Sequence, residues 1–137
     1  MRIYWIGSLS RDGKGRPAPL RDRLFAIDID RSGTLLTLQP VHDAPVHLLD
    51  ALVSSGAGRA WHLAEAAGKA PEAVGGLNVE GLTHTADGAL LIGLRNPLRE
   101  GKALAVPLRN PAQAIKGDTQ SSATPLRWTL AGAGFAR

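Results

Sequence analysis

The stretch Gly75–Pro111, GGLNVEGLTHTADGALLIGLRNPLREGKALAVPLRNP, constrains the fold more than any other part of the chain. Three apolar runs of strand length, Asn78–Thr85, Ala89–Arg95 and Ala103–Leu108, are separated by turn formers. Asp87-Gly88 is a two-residue hairpin signal and predicts a type I′ turn. Asn96-Pro97 and Glu100-Gly101 bracket a loop before the third run. Alternation with such short connections specifies an antiparallel meander, because parallel strands need crossovers of a dozen residues or more. The first run also carries one carboxylate, Glu80, in otherwise apolar surroundings.

The N-terminal part repeats this style. Arg2–Gly7 is rich in β-branched and aromatic residues, Arg23–Ile29 alternates towards its end, and Thr34–Val41 is a third strand ending at Pro40. Between the first two lies a polar loop, Ser8–Leu20, with two glycines and two prolines. The period then changes. Asp43 is an N-cap candidate, and Val46, Leu49, Leu52 and Val53 recur at helical spacing, predicting a helix over about Ala44–Ser55 with Gly56 as its C′ residue. A weaker helix is expected over about Arg59–Ala67. Asn110–Thr124 reads as loop with short helical content, and Leu126–Leu130 as a last strand. The C-terminal glycines, Gly132 and Gly134, offer no obvious closing element.

The fold class is therefore mainly β: antiparallel meander sheets with a short helical insertion near 44–68. One domain is expected in 137 residues. It has a first strand group at 1–41, a helical insertion and linker at 42–77, and a second strand group at 78–137. The expected core is Ile3, Trp5, Leu24, Phe25, Ile27, Leu36, Leu49, Leu52, Val79, Leu82, Leu90, Ile92, Leu104 and Val106.

Composition removes whole classes of chemistry. With no cysteine, disulfides, thiolate metal sites and cysteine nucleophiles are excluded. No apolar run approaches the roughly 18 residues of a membrane span, and no signal peptide is read at the N-terminus. The net charge of +4 divides as +3 over residues 1–40, −4 over 41–93 and +5 over 94–137. Basic residues thus sit at two loop-rich ends instead of along one helix, and aromatics are only 4%. Neither feature fits a nucleic-acid footprint.

Several residues in order resemble one bacterial family. They are Ile3-Tyr4-Trp5-Ile6-Gly7-Ser8, Arg23-Leu24-Phe25-Ala26, Gly76-Leu77-Asn78-Val79-Glu80-Gly81-Leu82, Asp87-Gly88, Leu91-Ile92-Gly93, Arg95-Asn96-Pro97, Gly101-Lys102-Ala103-Leu104 and Val106-Pro107-Leu108. Together they resemble domain of unknown function 3616. The resemblance implies a β-propeller-like fold, no established reaction, and members more than twice this length. The chain is then similar to an internal, truncated portion of about two blades. Leu130–Gly134 resembles a weakened strand start of the next blade, with Ala131 and Ala133 departing from the family's usual residues.

Candidate chemistry centres on Glu80. Gly81 beside it permits close approach of backbone or ligand. In a propeller channel Glu80, Asn78 and Asn96 are the oxygen-bearing types that calcium takes, with Glu80 as metal ligand, although three residues are few for a six- to eight-oxygen site. The plainer alternative is that Glu80 accepts hydrogen bonds from backbone or arginine and ties a blade together. Arg95 is a partner for a buried Glu80 or a clamp for an anion. Asn96 before Pro97 is otherwise a turn former. His84 shares Glu80's strand face by the two-residue period and is a further ligand candidate or a structural histidine.

Other matches fail. The four histidines have no zinc spacing. Gly76–Gly81 lacks the lysine of a phosphate loop, and Ser8 and Ser10 have no evident base. Trp5, Trp61 and Trp128 read as packing residues. Three functions stay open: a binding or scaffold module for an unknown small ligand; a metal-assisted hydrolase of phosphoesters or lactones; or a self-associating protein whose unpaired sheet edges make a homo-oligomer.

Overall fold

The computed structural model describes residues 1–42, 45–116 and the backbone of 131–135. Two antiparallel sheets flank a helical segment. The first sheet has the order β1-β2-β3, formed by Arg2–Ile6, Leu24–Asp30 and Thr37–Pro40. The second has the order β4-β5-β6-β7, formed by Asn78–His84, Leu90–Arg99, Lys102–Leu108 and Ala131–Phe135. Both are meanders, as the turn spacing requires. Neither sheet closes on itself among the described residues. The expected strand at Leu126–Leu130 lies outside the described residues. The C-terminal segment, read as lacking a closing element, instead supplies β7 on the edge of β6.

Between the sheets run α1 (Leu49–Ser54), α2 (Gly56–Ala60) and α3 (Leu63–Ala67), and α4 (Pro111–Ala114) follows β6. The long first helix of the sequence reading is shorter than expected. Val46 forms a two-way backbone bridge with Leu24, each N–H···O at 2.8 Å, so the chain at Val46 is tied to the first sheet and the helix begins only after it. The cap is not local either: Asp22 Oδ1 accepts the N–H groups of Leu48 and Leu49 at 2.8 and 3.0 Å. The expected cap, Asp43, lies outside the described residues. Gly56 is not a C′ residue but the first residue of α2, where the Ser55 hydroxyl accepts the Gly58 N–H at 2.9 Å. The second expected helix is likewise divided, because His62 takes a left-handed φ of 54° between α2 and α3.

Two turns exchange roles. Asp87-Gly88 is not a type I′ turn: among these residues Gly88 alone has positive φ, and the Gly88 N–H reaches the Thr85 carbonyl at 3.0 Å. This is a type I turn followed by a left-handed glycine. The two-residue turn with positive φ at both positions is Glu100-Gly101, at 51° and 74°, between the paired Arg99 and Lys102. Asn96-Pro97, expected in a loop, lies within β5 through a cis peptide bond.

One core joins the layers. Leu24 and Ala26 of the first sheet meet Leu48, Leu52, Leu63 and Leu77 from the connecting segment and Val79, Ile92, Leu94 and Val106 of the second sheet. Seven expected core residues are buried: Leu24, Leu52, Val79, Leu90, Ile92, Leu104 and Val106. Four are not. Ile3, Trp5, Phe25 and Leu36 are 37%, 39%, 41% and 57% exposed. Cross-strand partners share a face. Ile3 faces Ile27 and Trp5 faces Phe25, so these side chains lie on the side of the first sheet opposite Leu24 and Ala26. Trp5 and Phe25 stack there, ring centroids 5.3 Å apart. Trp61 packs partly buried against the core, as read, and Trp128 is outside the described residues.

Acid should loosen this fold. The carboxylates of Asp12, Asp28, Asp30, Glu65 and Asp87 are all held below their ordinary range by hydrogen bonds. The leading donors are the Arg16 backbone, the Arg2 guanidinium, the Ser32 backbone, the Lys69 ammonium and the Thr85 hydroxyl respectively. Depressed folded-state values mean the unfolded chain binds more protons, so stability is complete above the unfolded values and falls as pH drops through the folded ones. Thermal melting followed by circular dichroism should be flat near neutrality and decline only below about pH 4.

Candidate functional site

The second sheet brings Glu80 and Arg95 together by a defect in each strand. Val79 faces Leu94 while Gly81 faces Gly93, so Glu80 is an extra residue in β4. Asn78 faces Asn96 while Val79 faces Leu94, so Arg95 is an extra residue in β5. Each bulge turns its side chain out of the ladder. Arg95 Nη1 then donates to Glu80 Oε1 at 3.0 Å. Gly81 and Gly93 face one another beside the bulge, and a Cβ on Gly93 would meet the Gly81 Cα at 3.4 Å, an ordinary contact.

A third charge completes the cluster. Glu72 accepts from both terminal nitrogens of Arg95 at 3.1 Å, a bidentate pair. Nearby, Asn96 Nδ2 donates to the carbonyls of Pro71 and Ala73 at 3.2 and 3.0 Å. Asn78, buried, donates its Nδ2 to Glu80 Oε1 at 2.9 Å. The two carboxylates hold the Arg95 guanidinium above its ordinary pKa, Glu80 first and Glu72 second. The cluster therefore fastens the 71–73 segment to the bulged end of the sheet.

Four of the five expected site residues thus converge: Glu80, Arg95, Asn78 and Asn96. His84 does not join them. The bulge at Glu80 resets the two-residue period, and His84 faces Leu90 at the far end of β4. Glu80 is also not buried; its side chain is 51% exposed, and that of Arg95 is 42%. The need for a buried counter-ion accordingly falls away. Glu72 was missed because it lies 23 positions from Arg95 in a linker, where no periodicity links the two.

Of the expected calcium ligands, Glu80 is paired with Arg95 and accepts from Asn78 Nδ2, and Asn96 Nδ2 donates to two backbone carbonyls. Among the described residues no group of three or more histidines and carboxylates is arranged to hold a metal.

Two other polar features lie elsewhere. The Ser8 and Ser10 hydroxyls share a hydrogen bond of 2.8 Å, and Arg21 Nη1 donates to the Ser10 hydroxyl at 3.3 Å. A cavity of about 300 Å³ beside them is lined by Leu9, Pro17, Pro19, Leu49 and Ala67 with Asp22 at its wall. Asp22 there is committed to capping α1. No helix among the described residues is long and apolar enough to cross a membrane.

No protein-family model, curated protein or solved structure matches the chain.

Proposed function

We propose that the chain is a non-catalytic scaffold or binding module, resembling part of a β-propeller, whose first sheet packs face to face against another sheet. The observation that carries this reading is the outer face of β1-β2-β3. Within β1, β2 and β3, Ile3, Trp5, Phe25, Ile27, Ile29 and Leu38 share it by register, joined by Pro40, and none of these strand residues is charged. Leu38 is 58% exposed. On the opposite face Leu24 and Ala26 enter the core, while Arg2 and Asp28 pair at its margin. A sheet with one face on the core and a second apolar face is the pattern of a layer covered twice, as in stacked blades or sandwiches. Contiguous exposed apolar surface of this kind marks an association site. The Glu80–Arg95–Glu72 cluster supports the same reading, because its charges satisfy one another and hold a loop in place.

A second copy of the chain can supply the missing layer. Multi-angle light scattering is then expected to give twice the 14.4 kDa chain mass, returning to one chain in a Trp5→Glu, Phe25→Glu double variant with unchanged far-ultraviolet circular dichroism. A monomer at every accessible concentration sinks self-association through this face.

A further inference from the structure

A second feature, independent of the apolar face, lies between the sheets. Among the described residues β1 is an edge of the first sheet and β4 an edge of the second, and the two edges line shared hollows without pairing as strands. They are fastened at one end, where the Val79 N–H donates to the Ser8 carbonyl at 2.9 Å. Two hollows run along the seam from that point. One, of about 250 Å³, lies between Tyr4–Ile6 and Val79–Leu82. The next, of about 510 Å³, lies between Met1–Tyr4 and Leu82–His84. Tyr4 and Leu82 line both.

The direction of the backbone groups follows from the ladders. Met1 exchanges both backbone hydrogen bonds with Ile29, and Gly7 and Leu9 donate to Arg23 and Arg21. Odd residues of β1 are thus bound to β2. By antiparallel alternation Arg2, Tyr4 and Ile6 aim their N–H and C=O groups into the seam. Across from them Thr85 donates to Ala89, so Thr83 and Gly81 are bound to β5, and Leu82 and His84 aim theirs back towards β1. The seam is lined on both sides by backbone groups in strand register.

We propose that this seam accepts an extended peptide segment from another polypeptide, which pairs with β1 on one side and β4 on the other and joins the two sheets. Strand addition of this kind draws affinity from main-chain hydrogen bonds. A folded second copy is the wrong occupant: any edge strand it offers has one hydrogen-bonding side already used, so it can pair with β1 or with β4 but not with both. A detached segment has both sides free. The seam spans β1, so about five or six residues fit. Half-buried Tyr4, Ile6 and Leu82 select apolar side chains at alternate positions on the inner face.

The probe is a synthetic acetylated Lys-Val-Thr-Val-Thr-Val-Lys amide, with a version N-methylated at the central valine as control. Amide hydrogen exchange is read by NMR in the full chain. The amides of Tyr4, Ile6, Leu82 and His84 are expected to exchange readily in the chain alone and to slow at least ten-fold with the peptide. Those of Trp5 and Thr83 should change little, and the N-methylated peptide should have no effect. Tyr4→Pro and Leu82→Pro should each remove the slowing while leaving the sheets intact, since proline is tolerated where the N–H faces away from the ladder. The proposal is overturned if the seam amides are already protected without peptide, if the peptide slows none of them at millimolar concentration, or if the N-methylated peptide acts equally well. Each readout is separate from the oligomer mass, so either proposal can fail alone.

Discussion

A Gly58→Ala chain should lose about 3 kcal/mol of stability or more, a large share of the roughly 5–15 kcal/mol that holds a domain folded. A Cβ at this position would stand 2.1 Å from the Leu52 carbonyl oxygen and 2.5 Å from that of Val53. Both are backbone atoms at the end of α1. No rotamer change relieves the clash, so α1 and α2 must move apart. Leu52 and Ala57 are fully buried at this junction, and separating the helices opens the core they share. Urea unfolding followed by tryptophan fluorescence measures the loss. Gly56→Ala is the matched control. It lies two residues away at the start of α2 with nothing within 4 Å of its Cβ position, and its φ is not positive. That change should be neutral or stabilising by up to about 1 kcal/mol. A Gly58→Ala chain as stable as the Gly56→Ala one would contradict the packing of α1 on α2.

These two glycines show where sequence reading reaches its limit. Gly56 carries the stronger local signal, a small residue after an amphipathic run, yet the chain uses Ser55 as a cap and continues into a new helix. Gly58 carries no local signal, because its constraint is a tertiary approach. The same division holds elsewhere. The hairpins of 78–108 are legible since turn residues and alternation agree. The facing of the first sheet is not: in Arg2–Ile6 and Leu24–Asp30 apolar residues occupy both parities, so alternation cannot say which face is covered. At the candidate site, the pairing of Glu80 with Arg95 is legible from charge and proximity across a hairpin. The bulges that bring them together are not, and their neglect placed His84 on the wrong face.

Ile92→Ala should be the most damaging of the simple core truncations, costing about 2–5 kcal/mol. Ile92 is fully buried in β5, which is flanked on both sides, and it faces Leu82 on β4 and Val106 on β6. Residues across from it are held by two ladders, so they cannot collapse into the space the side chain leaves. Deletion therefore costs the lost apolar contact and the residual cavity together. Val74→Ala, at a side chain 96% exposed, should stay within about 0.5 kcal/mol of the parent. Chemical denaturation at several protein concentrations separates this effect from association. A loss located in the core persists at every concentration, whereas a loss through weakened pairing of copies shrinks as concentration rises. Should Ile92→Ala unfold no more easily than Val74→Ala, β5 cannot be the central strand of a covered sheet, and the bulged pairing that orients Glu80 and Arg95 would lose its support.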